Sequence, residues 1–157
     1  MKSAAAYKRP EAIYLHSHSQ STTGLWITTA PFIRIGLRES LVAKGEAVFA
    51  VLSSSGNRLP HPKLDEWDQI FAPMLKLAGV RSVKAFEKNT LCCGLTLDER
   101  HLIIVPDRQL KPGHGYEPMA DRTIELACDC SPAEAGAALE QGFSRCCGDS
   151  SEVDELS

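Results

Sequence analysis

The chain has 157 residues, of which 43% are apolar and 24% charged, and its formal net charge is −3. A chain of this length forms one domain that buries roughly 70% of its unfolded surface, and the composition is too apolar for a disordered protein. Its longest uninterrupted apolar run, Ala47 to Leu52, falls far short of the ~20 residues a membrane-spanning helix needs.

The opening residues, MKSAAAYKRPEA, lack the run of ~7–15 apolar residues that a secretory signal carries, so no export is expected. Residues 1–10 read as a flexible lead. Short strands follow at Ala12–Leu15, Leu25–Thr29 and Phe32–Leu37, with the polar stretch from His16 to Gly24 as a loop. Ser40 then suits the N-cap of a helix whose apolar stripe is Leu41, Gly45, Val48, Val51 and Leu52. Ser53-Ser54-Ser55-Gly56-Asn57 ends that helix, and Pro60-His61-Pro62 must be extended or turning.

The clearest helical stripe comes next: Trp67, Ile70, Phe71, Met74, Leu75 and Ala78. Asp65 is its expected N-cap and Gly79 its stop, while Pro73 predicts a kink or two short helices. Residues 82–106 read as an antiparallel meander. Val83 and Ala85 alternate with polar neighbours, Leu91 to Leu97 alternate again, and Asp98-Glu99-Arg100 turns into His101–Val105. A loop over Pro112–Pro118 precedes a strand with Ile124, Leu126 and Cys128 on one face. Ser131-Pro132-Ala133-Glu134 has the form of a capping box, and the last helix buries Ala135, Ala138, Leu139, Gly142, Phe143 and Cys146. The order predicts an α+β fold, a mixed or mostly antiparallel sheet with about three helices packed on it, as a single domain over residues 11–147. A weak internal echo is present: a glycine lies five residues after each serine cap, Gly45 after Ser40 and Gly136 after Ser131.

The charge is unevenly spread. Asp149, Glu152, Asp154 and Glu155 put −4 into the last residues, so the rest of the chain sums to +1. Residues 148–157 therefore read as an acidic disordered tail, and the near-neutral body argues against direct nucleic-acid binding. The six cysteines occur as Cys92-Cys93, Cys128-x-Cys130 and Cys146-Cys147. Without an export signal they read as reduced cytoplasmic thiols.

Motifs for nucleotide binding and for a serine nucleophile are missing. The sharpest chemical alternative is zinc, because Cys128 and Cys130 share a strand face and so do His16 and His18; the usual finger spacing is absent, however. Cys93, Cys128 and Cys146 otherwise serve as small core residues. Cys130, beside the Ser131 cap, is the best thiol nucleophile, and His114 completes the set for a small Cys/His-dependent or zinc-binding hydrolase. Asp65, Glu66 and Asp68 either complement a helix dipole or present a negative patch to a basic partner.

Several of these segments together resemble the contact-dependent growth inhibition immunity proteins of the CdiI type. They are Thr23-Gly24-Leu25-Trp26; Ala50-Val51-Leu52-Ser53-Ser54-Ser55 with Leu59-Pro60-His61-Pro62; Gly79-Val80-Arg81-Ser82 leading to Phe86; Ile103-Ile104-Val105-Pro106; and Ser131-Pro132-Ala133-Glu134-Ala135-Gly136 with Ser144-Arg145. The resemblance implies a cytoplasmic, non-catalytic protein without cofactor or metal. Its partner would be the C-terminal toxin domain of a cognate CdiA-type surface protein, often a nuclease, and neither nucleic acid nor membrane. The expected contact is a localised patch that includes Asp65, Glu66 and Asp68. A non-enzymatic module with some other binding role is the remaining alternative.

Overall fold

A computed structural model describes residues 1–147 of the chain; the acidic segment 148–157 lies outside the described residues. The strands are β1 (Lys2–Lys8), β2 (Ala12–Gln20), β3 (Trp26–Gly36), β4 (Leu91–Leu97), β5 (His101–Gln109), β6 (Tyr116–Pro118) and β7 (Ile124–Ala127). They form a 7-stranded sheet in the order β3-β2-β1-β4-β5-β6, with β7 also paired to β5. Every pairing between these strands is antiparallel. The helices are α1 (Leu41–Ser53), α2 (Ala72–Ala78), α3 (Val83–Glu87) and α4 (Pro132–Ser144). Two 3-10 turns, Trp67–Gln69 and Ala120–Arg122, complete the described elements. The expected α+β class, single domain and mostly antiparallel sheet are all observed.

The helix caps follow from local chemistry. The Ser40 side chain accepts from the Ala43 N–H at 3.1 Å. Ser131 and Glu134 form a reciprocal capping box, both bonds at 3.1 Å, with Pro132 in the first turn. Each bond satisfies a backbone donor that a helix start leaves open.

Residues 1–10 are not a flexible lead, and the domain starts at β1 rather than at residue 11. β1 lies between β2 and β4, with Ala4, Ala5 and Ala6 buried. Alanine carries little strand preference, so nothing local marks this segment; its small side chains let helices approach the middle of the sheet. The expected loop over 16–24 is also corrected, because β2 continues through His16, Ser17, His18 and Ser19 to Gln20. The two expected strands around Ala30-Pro31 are one strand, β3, with a register irregularity opposite His16 and Ser17. A proline without an N–H is tolerated at such an edge position.

Val83 and Ala85 belong to a short helix, not a strand. Ser82 caps it by accepting from the Ala85 N–H at 3.0 Å. Of the two outcomes expected at Pro73, two short pieces are observed, a 3-10 turn and α2, with Pro73 in the first turn of α2 and left-handed Gly79 (φ 73°) ending it. Asp65 therefore caps no helix, and Trp67 is partly exposed rather than buried.

The sheet is covered on both faces. On one face Ile13, Leu15, Cys93, Leu95, Leu102 and Ile104 pack against Val48, Val51 and Leu52 of α1 and Ala138, Leu139 and Phe143 of α4. The opposite face carries Ala12 and Tyr14, with Tyr7, against Met74 of α2 and Phe86 of α3. α1 and α4 touch backbone to backbone. A Cβ on Gly45 would stand 1.7 Å from the Pro132 carbonyl oxygen, and one on Gly136 would stand 1.9 Å from that of Leu41. The echo in the sequence is thus a reciprocal contact, each glycine receiving the first turn of the other helix. Where the helices meet, Lys44 is almost buried, donates to the Leu37 carbonyl at 2.9 Å and faces Glu140 Oε1 at 3.1 Å, while Lys8 holds Oε2 at 3.2 Å. The Lys44–Glu140 contact is an ion pair without hydrogen-bond geometry.

Candidate functional site

The segment from Gly56 to Ile70 lies beside the β3 end of the sheet. It is anchored to the end of β2: Gln20 N–H donates to the Gly56 carbonyl at 2.9 Å, Leu59 N–H to that of Gln20 at 3.1 Å, and Thr22 N–H to that of Leu59 at 2.9 Å. His61 Nδ1 lies 2.9 Å from Thr23 Oγ1, and its ring meets Trp67 edge-on at 5.7 Å. Glu66 Oε1 accepts from the Lys63 N–H at 2.8 Å, which closes the turn carrying Leu64 and Asp65. Asp65, Glu66 and Asp68 are all exposed. Beside them Leu64 is 92% exposed and Trp67 39%. A cleft of about 380 Å³ lies alongside, walled by Ile27 and Thr29 of β3 and by Leu59, Pro60 and Ile70, with His61, Glu66 and Gln69 adding polar groups. The region combines large apolar groups with carboxylates on an anchored loop, a surface suited to a protein partner.

The residues that suggested catalysis are dispersed. His16 and His18 are on β2, whereas Cys128 and Cys130 follow β7. Four strand steps separate β2 from β7, about 19 Å along the sheet. Among the described residues no three His, Cys, Asp or Glu side chains are grouped to hold a metal. Cys128 donates to the Glu99 carbonyl at 3.1 Å. Cys130 is not activated, because burial and then the charges of Glu134, Asp129 and Cys128 raise its pKa. His114 sits on the loop whose Gly113 and Gly115 N–H groups donate to Glu87 Oε1 at 2.8 and 3.1 Å. Ser53 and Ser54 both bond back to the Ala50 carbonyl, and Ser55 donates to that of His18 at 2.6 Å, so all three serve the backbone.

A polar cluster is instead buried on the aromatic face. His16 Nδ1 is 3.0 Å from the Ser17 carbonyl oxygen and Nε2 is 3.1 Å from the Tyr7 hydroxyl. A carbonyl only accepts, so Nδ1 carries the proton and Tyr7 donates to Nε2. Burial, followed by the nearby His18, holds His16 neutral and pushes its pKa down to about 3. Burial lowers His18 too, and its Nδ1 lies 3.0 Å from Ser3 Oγ. Strand register sets Tyr14, Tyr7 and Cys92 side by side on β2, β1 and β4, and Asp107 is next in line on β5. Burial raises Asp107 to about 6, against a hydrogen bond from the Cys92 thiol that lowers it. Tyr7, Cys92 and Asp107 carried no signal in the sequence, since only the pairing of distant strands aligns them.

The family model described as CdiI, CDI immunity protein, matches residues 2–146. The chain belongs to the CdiI family. Solved structures that share its fold include a toxin and immunity complex and a protein of unknown function. One, the CdiA-CT/CdiI toxin and immunity complex from Yersinia pseudotuberculosis, matches with a TM-score of 0.73 at 20% identity, covering 92% of this chain and 97% of that one. The other, a protein of unknown function from Neisseria meningitidis, matches with a TM-score of 0.77 at 21% identity, covering 92% and 94%. No curated protein matches the chain. The resemblance carried by the sequence segments is therefore correct. The CdiI match spans β1 as well as the later strands, which agrees with β1 being part of the domain.

Proposed function

We propose that this CdiI protein binds the C-terminal toxin domain of a cognate CdiA-type surface protein in the cytoplasm and blocks it, without catalysis of its own. The family match over residues 2–146 carries this reading. The likeness to a chain solved in a toxin and immunity complex supports it. The toxin we propose is a nuclease. A nuclease presents basic surface to its substrate, and exposed carboxylates attract such a surface and speed association. Asp65, Glu66 and Asp68, together with Leu64 and Trp67, are the proposed contacts, because they join charge to exposed apolar area in one anchored loop.

Co-expression with the toxin region encoded beside this gene tests the reading. Growth should be rescued and a 1:1 complex should co-purify. Failure on both counts removes the function. Asp65→Asn, Glu66→Gln and Asp68→Asn combined should slow association and flatten its salt dependence while leaving stability unchanged. An unaltered rate and salt slope would remove the contact assignment but not immunity itself. Degradation of DNA or RNA by the free toxin, stopped by this chain, tests the nuclease proposal.

A further inference from the structure

The two sulfurs of Cys93 and Cys146 lie 3.8 Å apart although 53 positions separate them in sequence. Cys93 is on β4 and fully buried; Cys146 is half-buried, two residues after α4 ends. Gly142 fixes the approach. A Cβ there would lie 3.1 Å from Cys93 Sγ, so α4 rests directly on that sulfur. Cys146 Sγ stays beside the helix end, 3.4 Å from the Gly142 carbonyl and 3.3 Å from that of Cys92. The two thiols differ in character. A hydrogen bond from Cys93 lowers Cys146, helped by the backbone N–H of Asp107 and opposed by burial. Cys93 is raised, first by that same bond and then by burial. Cys146 is the more acidic and the more accessible, which suits an attacking thiol; Cys93 stands behind it as a resolving one.

We propose that Cys93 and Cys146 are a redox-responsive pair that closes to an intramolecular disulfide when the protein meets a peroxide. Cys146 Sγ attacks one peroxide oxygen, the O–O bond breaks, and the departing hydroxide takes the thiol proton as water, leaving a sulfenic acid. Cys93 Sγ then attacks Cys146 Sγ. The S–S bond forms, the S–O bond breaks, and the hydroxyl leaves with the Cys93 proton as a second water. Two thiols supply two electrons and one peroxide accepts them. The sulfurs must close from 3.8 Å to about 2.05 Å by rotation of the two side chains. The product ties the end of the last helix to the middle of the sheet.

The full-length reduced protein is treated with hydrogen peroxide, alkylated, digested and mapped without reduction. The expected product links the peptide holding Cys92 and Cys93 to the one holding Cys146 and Cys147, with the loss of two hydrogens, and dithiothreitol reverses it. Because each peptide holds two cysteines, the variant Cys92→Ala/Cys147→Ser must keep the link, while Cys146→Ser must lose it. The oxidised wild type should also melt at a higher temperature than the reduced form, since the bond closes a long loop. Four alkylatable thiols at these positions after peroxide, a Cys146–Cys147 bond, or a link that vanishes in Cys92→Ala/Cys147→Ser would each overturn the proposal. The last readout uses a folded variant whose secondary structure is checked by circular dichroism.

Discussion

The two faces of the sheet are packed by opposite means. Towards α1 and α4 the contact is aliphatic, and its closest points are glycines against backbone. Towards α2 and α3 it is built from rings: Tyr7, Phe71 and Phe86 meet edge to face at 5.1–6.1 Å, with His16 bonded among them. The difference teaches where each kind of change is felt. The aliphatic face is sensitive to volume, since nothing there can move aside cheaply. The aromatic face is sensitive to protons, because its polar groups are buried in a defined ionisation state.

The largest expected effect tests volume. Gly45→Ala and Gly136→Ala should each destabilise the protein by about 3 kcal/mol or more in urea unfolding, even though alanine favours a helix by about 1 kcal/mol over glycine. Gly94→Ala on β4, where an added Cβ meets nothing within 4 Å, should change stability by less than about 0.5 kcal/mol. Equal losses at the three positions would break the comparison.

Protons come second. His16 titrates near 3 in the fold against 6.5 unfolded, so its contribution is present above pH 6.5 and is lost as pH falls towards 3. Asp107 runs the other way: raised to about 6 from 3.8, its contribution is present below 3.8 and is lost as pH rises through 6. Between pH 6 and 4 the two oppose each other. Asp107→Asn should therefore steepen the loss of stability on acidification by about 2 kcal/mol, and His16→Gln should reverse its direction by a similar amount. Unfolding curves at stepped pH check both. Parallel profiles for all three proteins would show that neither group controls the acid response.

Smaller effects sharpen the picture. Tyr7→Phe leaves the rings in place and removes the donor to His16, which should cost about 1–2 kcal/mol. Ser131→Ala opens the cap of α4 and should cost about 1 kcal/mol, with the loss independent of pH between 5 and 8. A thermal melt series with both variants separates the two faces once more.

How far the sequence could be read follows the range of the forces involved. The caps at Ser40 and Ser131, the alternation in β4 and the start of β5, and the stop at Gly79 depend on residues within a few positions, and all were legible. β1 was not, because three alanines show no alternation. α3 was misread because Val83 and Ala85 fit a two-residue period as well as a short helical turn, and only the Ser82 cap decides between them. His16 to Ser19 looked like a loop because their polar groups find partners only across strands. The exposed carboxylates of the candidate surface were visible in the sequence. Its exposed Trp67 was not, since its spacing with Ile70 and Met74 mimicked a buried stripe.

Local pattern and composition by themselves determined the α+β class and the helix caps at Ser40 and Ser131, and the resemblance of several segments pointed to the immunity family that the family model shows. Only the tertiary structure decided that the first strand lies inside the sheet, that α1 and α4 meet through two glycines, and that Cys93 touches Cys146. Those facts depend on which distant strands pair and in what register, and register is set by the whole packed core rather than by any one segment.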